Sequence, residues 1–152
     1  MQINKLIRLY NKEETSFVAE SLLVFLKSRA KTVIFLKGNL GSGKTTFSQI
    51  LLQKLGVTER VKSPTYSVIE PYATPEMKIY HLDLYRLQHE TDLYEMGLLD
   101  HLDENALFLI EWPELLQKLG LKPDLCLEFA LNENQGVLER SVIMKTTVCF
   151  NE

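Results

Sequence analysis

The spacing of apolar positions changes several times along the chain, and each change predicts an element. Asn11 followed by Glu14 has the form of a helix-opening cap, and Phe17, Val18, Leu22, Phe25 and Leu26 then recur at helical spacing, predicting a helix to about residue 28. Residues 32–36, Thr-Val-Ile-Phe-Leu, form a continuous β-branched and aromatic run, as expected of a strand covered on both faces. Phe47, Ile50, Leu51 and Leu55 mark a second helix that Gly56 ends. Residues 66–72 and 77–82 read as strands joined by a hairpin turn at 73–76. A helical stretch is expected over 90–102, broken near Gly97, and a second fully apolar strand over 106–110. Pro113 then suits the first turn of a short helix to about residue 119. Leu125, Leu127, Phe129 and Leu131 alternate, and residues 142–148 return after the polar turn 132–136, a closing hairpin. Buried strand, helix and later buried strand together predict an α/β sandwich whose parallel centre carries added antiparallel strands.

Composition narrows this without redirecting it. With 152 residues, 45% hydrophobic and 24% charged, the chain is expected to form one domain over 1–152 with a core of its own. The formal charge of −3 removes the basic surplus that a protein gripping nucleic acid through phosphates would want, so any contact with a polynucleotide is expected through a partner. Residues 1–10 hold no apolar run of signal-peptide length, and no stretch approaches the roughly 20 apolar residues that cross a bilayer, so a cytoplasmic protein is expected. Cys126 and Cys149 lie far apart in strand-like surroundings and read as two reduced, buried thiols, although pairing is open.

The loop between the first buried strand and the second helix changes the picture most. Residues 38–46, Gly-Asn-Leu-Gly-Ser-Gly-Lys-Thr-Thr, fit the pattern G-x-x-x-x-G-K-[ST] at every fixed position and use three of the chain's 7 glycines. Glycines there let backbone N–H groups turn inward as a nest for an anion, and the helix N-terminus adds partial positive charge. This predicts a P-loop NTPase-like three-layer sandwich, with Gly41, Ser42, Gly43, Lys44, Thr45 and Thr46 around the phosphates of ATP. Lys44 would reach the β- and γ-phosphates and the Thr45 hydroxyl would ligate Mg²⁺. Hydrolysis needs acid at the end of a neighbouring strand; Glu111 ends the run 106–110 and Asp83 follows the strand at 77–82. Thr65, after Pro64, either completes the metal shell from a switch-like loop or caps a local turn.

Four segments occur in order: the loop 38–46, Ser-Pro-Thr-Tyr at 63–66, His-Leu-Asp-Leu-Tyr-Arg at 81–86 and Leu-Ile-Glu-Trp-Pro at 109–113. In this combination the chain resembles the TsaE family, small bacterial P-loop ATPases of tRNA threonylcarbamoyladenosine synthesis. The resemblance runs from about residue 11 to 113 and implies slow ATP hydrolysis that resets a complex with TsaD and TsaB, the tRNA being reached only through that complex. It further implies that Lys44 and Thr45 hold phosphate and Mg²⁺, that Glu111 is a metal-associated acid, and that Asp83 faces the nucleotide or its water. Thr65 falls in the switch-like loop, and Thr15 matches a family threonine near the base, though a threonine at a helix start is also an ordinary cap. Tyr66 stands where phenylalanine is frequent in the family.

Two other functions use the same loop: a small kinase, and a nucleotide-gated binding module without turnover. The arginines Arg8, Arg29, Arg60, Arg86 and Arg140 are scattered and do not form the arginine-rich lid of such kinases, and no Asn-Lys-x-Asp segment follows the loop to read guanine. Arg86 is either an arginine finger or the partner of a carboxylate. Trp112, the only tryptophan, covers the site, docks a partner or packs the core, and His81 reads as a packing or hydrogen-bonding residue at a strand's end.

Overall fold

A computed structural model describes residues 3–9 and 11–146. Seven strands, β1 (Ile3–Leu9), β2 (Thr32–Lys37), β3 (Ile69–Ala73), β4 (Lys78–Asp83), β5 (Leu107–Glu111), β6 (Leu125–Asn134) and β7 (Val137–Thr146), form one sheet in the order β1-β7-β6-β2-β5-β4-β3. The helices are α1 (Lys12–Lys27), α2 (Lys44–Leu55), α3 (Glu90–Glu95), α4 (Leu98–Leu102) and α5 (Glu114–Lys118). β6, β2, β5 and β4 run parallel, while β3, β7 and β1 add on antiparallel.

The continuous apolar run of β2 is explained by its place at the centre. Ile34 and Leu36 face a core shared with Val18 and Leu22 of α1 and Phe47 and Leu51 of α2. Val33 and Phe35 face a second core with Leu93, Leu98 and Leu116 of α3, α4 and α5. Helices on both faces of a largely parallel sheet make the three-layer α/β sandwich of P-loop NTPase type. Because the central strands are parallel, their C-terminal ends share one edge, where ligands of open α/β sheets bind.

Four local expectations change. Phe17 is 75% exposed, because the buried stripe of α1 runs through Thr15, Val18, Ala19, Leu22 and Leu26 and leaves it to one side. The strand expected from residue 66 begins at Ile69: the Val68 N–H donates to the Pro64 carbonyl at 2.7 Å, and Val68 takes a positive φ of 69°, so 64–67 form a turn. The closing hairpin turns on Gln135 and Gly136 alone, both at positive φ, the tight two-residue form that matches strand twist, so β6 and β7 extend through most of the polar segment. β1, not expected from the sequence, pairs along β7 from Ile3↔Thr146 to Leu9↔Arg140. Cys126 is half-buried and free, burial pushing its thiol pKa up, whereas Cys149 and the end of the expected strand at 147–148 lie outside the described residues. Among the described residues no helix is long and apolar enough to cross a membrane.

Candidate functional site

β2 delivers the chain into the glycine-rich loop, and α2 starts at Lys44 with Gly43 as its cap at φ 113°. Gly38 has φ 143°, and a Cβ there would lie 2.5 Å from the Phe129 carbonyl oxygen of β6 and 2.7 Å from Ser42 Oγ. Only glycine fits so tight a bend. Phe129 also supports the loop from below, its ring 5.6 Å from that of Phe47 in α2. Ser42 Oγ is buried with no hydrogen-bond partner among the described residues. A buried hydroxyl with a hydrogen bond to spare, in a glycine-rich loop at a helix N-terminus, fits a phosphate ligand.

Lys44 is 5% exposed. Its Nζ donates to the Gly38 carbonyl at 2.6 Å and sits 3.9 Å from the centre of the Trp112 ring. Burial lowers its pKa, and the nearby carboxylates of Glu111, Asp83 and Glu114 pull it part of the way back. An ammonium has three donors, so two remain beyond the Gly38 bond.

Two carboxylates face this cation because of strand register. Asp83 ends β4 and Glu111 ends β5, and the two are direct partners across the parallel ladder. Both are buried. Asp83 Oδ1 accepts the Tyr85 backbone N–H at 3.0 Å, and Thr65 Oγ1 donates to Asp83 Oδ2 at 3.2 Å, with Ser63 Oγ a further 2.8 Å from that hydroxyl. Behind Glu111, His81 Nε2 lies 2.9 Å from Oε2.

These groups surround a cavity of about 500 Å³, within the roughly 300–1,000 Å³ usual for small-molecule sites. Gly41 to Thr46 form its floor, and Asp83, Glu111 and Thr65 one wall. Thr15 also lines it, from the first turn of α1. Every site residue anticipated from the sequence therefore reaches one cavity. The donor set also suits Mg²⁺ with a nucleotide: amide nest and ammonium for phosphates, hydroxyl and carboxylate oxygens for a hard cation that keeps phosphate and water as its remaining ligands.

Several contributors were not foreseen. Leu9, Asn11 and Lys12 line the cavity beside Thr15, and Leu40 and Arg140 close its rim. Arg140 comes from β7, and its Nε donates to the Gly41 carbonyl at 3.3 Å. Only the fold brings so distant a residue to the loop. Trp112 lines the cavity beside Lys44, its ring 4.9 Å from that of Tyr85, and its backbone takes a strained φ of 55°. Among the described residues Arg86 pairs with no carboxylate, and it lies outside the cavity lining; its guanidinium stacks 4.4 Å over the Tyr66 ring.

Comparison with known proteins gives one answer. The family model described as "Threonylcarbamoyl adenosine biosynthesis protein TsaE" matches residues 9–142. The tRNA threonylcarbamoyladenosine biosynthesis protein TsaE of Haemophilus influenzae is 40% identical over 68% of this chain and 64% of its own length, slightly less than two thirds of that relative. TsaE of Bacillus subtilis is 35% identical over 73% of this chain and 68% of its own. The crystal structure of Bacillus subtilis YdiB superposes with a TM-score of 0.72 at 26% identity, covering 97% of this chain and 88% of that one. With the P-loop, the paired strand-end acids and a family match across nearly all the described fold, this chain belongs to the TsaE family.

Proposed function

We propose that this chain binds ATP with Mg²⁺, hydrolyses it slowly, and uses the cycle to support threonylcarbamoyl modification of the tRNA adenosine beside the anticodon by resetting a TsaD/TsaB complex. The observation that carries the nucleotide reading is the closure of the glycine-rich nest on buried Lys44 opposite Asp83 and Glu111. The pathway rests on relatives named for tRNA threonylcarbamoyladenosine biosynthesis, and the two partners on the family resemblance of the sequence.

In this reading the loop amides and Lys44 bind the β- and γ-phosphates, and Thr45 and Glu111 hold the metal. Bound Mg²⁺ would neutralise charge on the transferred phosphoryl group. Asp83, held by Tyr85 and Thr65, orients the nucleotide or the water. Because Thr65 belongs to the turn at 64–67, loss of the γ-phosphate can be transmitted from Asp83 to an exposed loop. Trp112 and Tyr85 restrict water above Lys44.

Calorimetry on the purified protein tests binding, with Mg·ATP and Mg·ADP both expected to give saturable heat; no heat from either overturns the reading. Affinity capture with purified TsaD and TsaB, with and without ATP, tests the partners, and nucleotide-independent absence of both overturns that part alone.

A further inference from the structure

His81 is the buried titratable side chain beneath the site that the roles above leave unused. It is fully buried, stands two residues before Asp83 on the same face of β4, and does not line the cavity. Its Nε2 lies 2.9 Å from Glu111 Oε2, whose side chain is 3% exposed, while Nδ1 is buried without a partner among the described residues. An apolar side chain would fill this place without stranding a nitrogen. Among the described residues the imidazole's one polar contact is with the acid that faces the cavity.

We infer that His81 is a positioning residue for Glu111: its Nε2–H donates to Oε2 and fixes the carboxylate's rotamer, leaving Oε1 as the oxygen free for the cavity. This rests on the reading of Glu111 as the metal-associated acid of a Mg·ATP site. A ligating carboxylate that swings freely must be ordered each time the metal binds, and a hydrogen bond from behind removes that step. The bond acts on metal placement, so it bears on turnover and on metal-supported binding and leaves contacts to the nucleotide alone unaffected.

The test compares His81→Leu and His81→Gln with the unsubstituted protein. His81→Leu is expected to lower kcat about 10–100-fold while the metal-free Kd for ADP stays within about twofold. His81→Gln, which keeps an N–H donor, should recover kcat to within roughly fivefold of the unsubstituted protein. Calorimetry should show that Mg²⁺ strengthens ADP binding less in His81→Leu than in the unsubstituted protein. Unchanged kcat in His81→Leu, or equal losses in both variants that track their Tm, would overturn the inference in favour of core packing. Nitrogen-resolved NMR of the imidazole in the nucleotide-free protein gives an activity-independent reading. The Nε2–H tautomer, with a shift at Nε2 in Glu111→Gln, is expected; the Nδ1–H tautomer overturns it. Should the unsubstituted protein bind no Mg·ATP, the parent reading falls, and the NMR result still decides whether His81 holds Glu111.

Discussion

A Cβ at Gly38 has nowhere to go. It would press on the Phe129 carbonyl at 2.5 Å and on Ser42 Oγ at 2.7 Å, at a φ that L residues avoid. The hydroxyl can turn away; the β6 backbone cannot. Gly38→Ala should therefore cost about 1–3 kcal/mol in chemical denaturation and remove Mg·ADP heat at temperatures where the variant is folded. Lys44 and Glu111 separate binding from turnover. Lys44→Ala deletes the buried cation of the glycine-rich loop and, on the proposed reading, should raise the Mg·ADP Kd by at least about tenfold, the weight of a charge-assisted hydrogen bond. Glu111→Ala should keep nucleotide binding within a few-fold and cut the rate of ADP release from ATP by about 10²-fold or more; an unchanged rate would remove Glu111 from the mechanism. The P-loop and both acids were legible in the sequence because each follows a buried strand. For Trp112 the sequence leaves three places open, and its position beside Lys44 is settled only by the fold.

At the scale of elements, the opening of α1 was readable down to its atoms. Asn11 Oδ1 accepts the Glu13 and Glu14 N–H groups at 2.9 and 3.2 Å, and Glu14 returns a bond to the Asn11 N–H at 3.1 Å. Asn11→Ala should cost about 1 kcal/mol of stability. The same turn lines the cavity through Lys12 and Thr15, so nucleotide affinity should fall with it, by calorimetry, although Asn11 is far in sequence from the loop. β1 escaped notice because an antiparallel partner satisfies a strand whose alternation is broken by exposed Leu6, and that partner lies at the other end of the chain. The strand expected over 66–72 starts only at Ile69, because Tyr66 and Val68 suit strand or turn alike and the Val68–Pro64 hydrogen bond draws them into a turn. β4 carries a pH-dependent tie. The Tyr80 hydroxyl, then Lys78, hold the Glu104 carboxyl below its usual pKa of 4.5, fastening the segment before β5 to β4. A carboxyl held low in the folded state stabilises it above the unfolded value, and that contribution fades as pH falls through the folded value. Urea midpoints of Tyr80→Phe and the unsubstituted protein should differ most near neutrality and converge progressively as pH drops below 4.5.

Across the whole molecule, the two apolar cores have different relations to the site. Which strands lie beside β2 could not be read from the chain, since parallel neighbours are joined through long crossovers and their pairing is tertiary. That order places β6 against the glycine-rich loop on one side and the acids of β4 and β5 on the other. It also lets Arg140 of β7 reach the Gly41 carbonyl. Phe129 of β6 belongs to the core shared with α1 and α2, packs on Phe47, and comes 3.7 Å from where a Gly43 Cβ would stand. Phe108 of β5 belongs to the opposite core and stacks on Tyr80, its ring 5.5 Å away. Phe129→Leu and Phe108→Leu remove similar apolar volume and should each cost roughly 1–3 kcal/mol in denaturant unfolding. If the cores served only to hold the sandwich together, both variants would bind Mg·ADP alike once folded. Because one core also packs Phe129 against the glycine-rich loop, Phe129→Leu should weaken Mg·ADP in calorimetry at a temperature well below either Tm, while Phe108→Leu keeps its affinity. Equal affinities in the two variants would mean that the nest holds its shape through its own backbone bonds and owes nothing to β6.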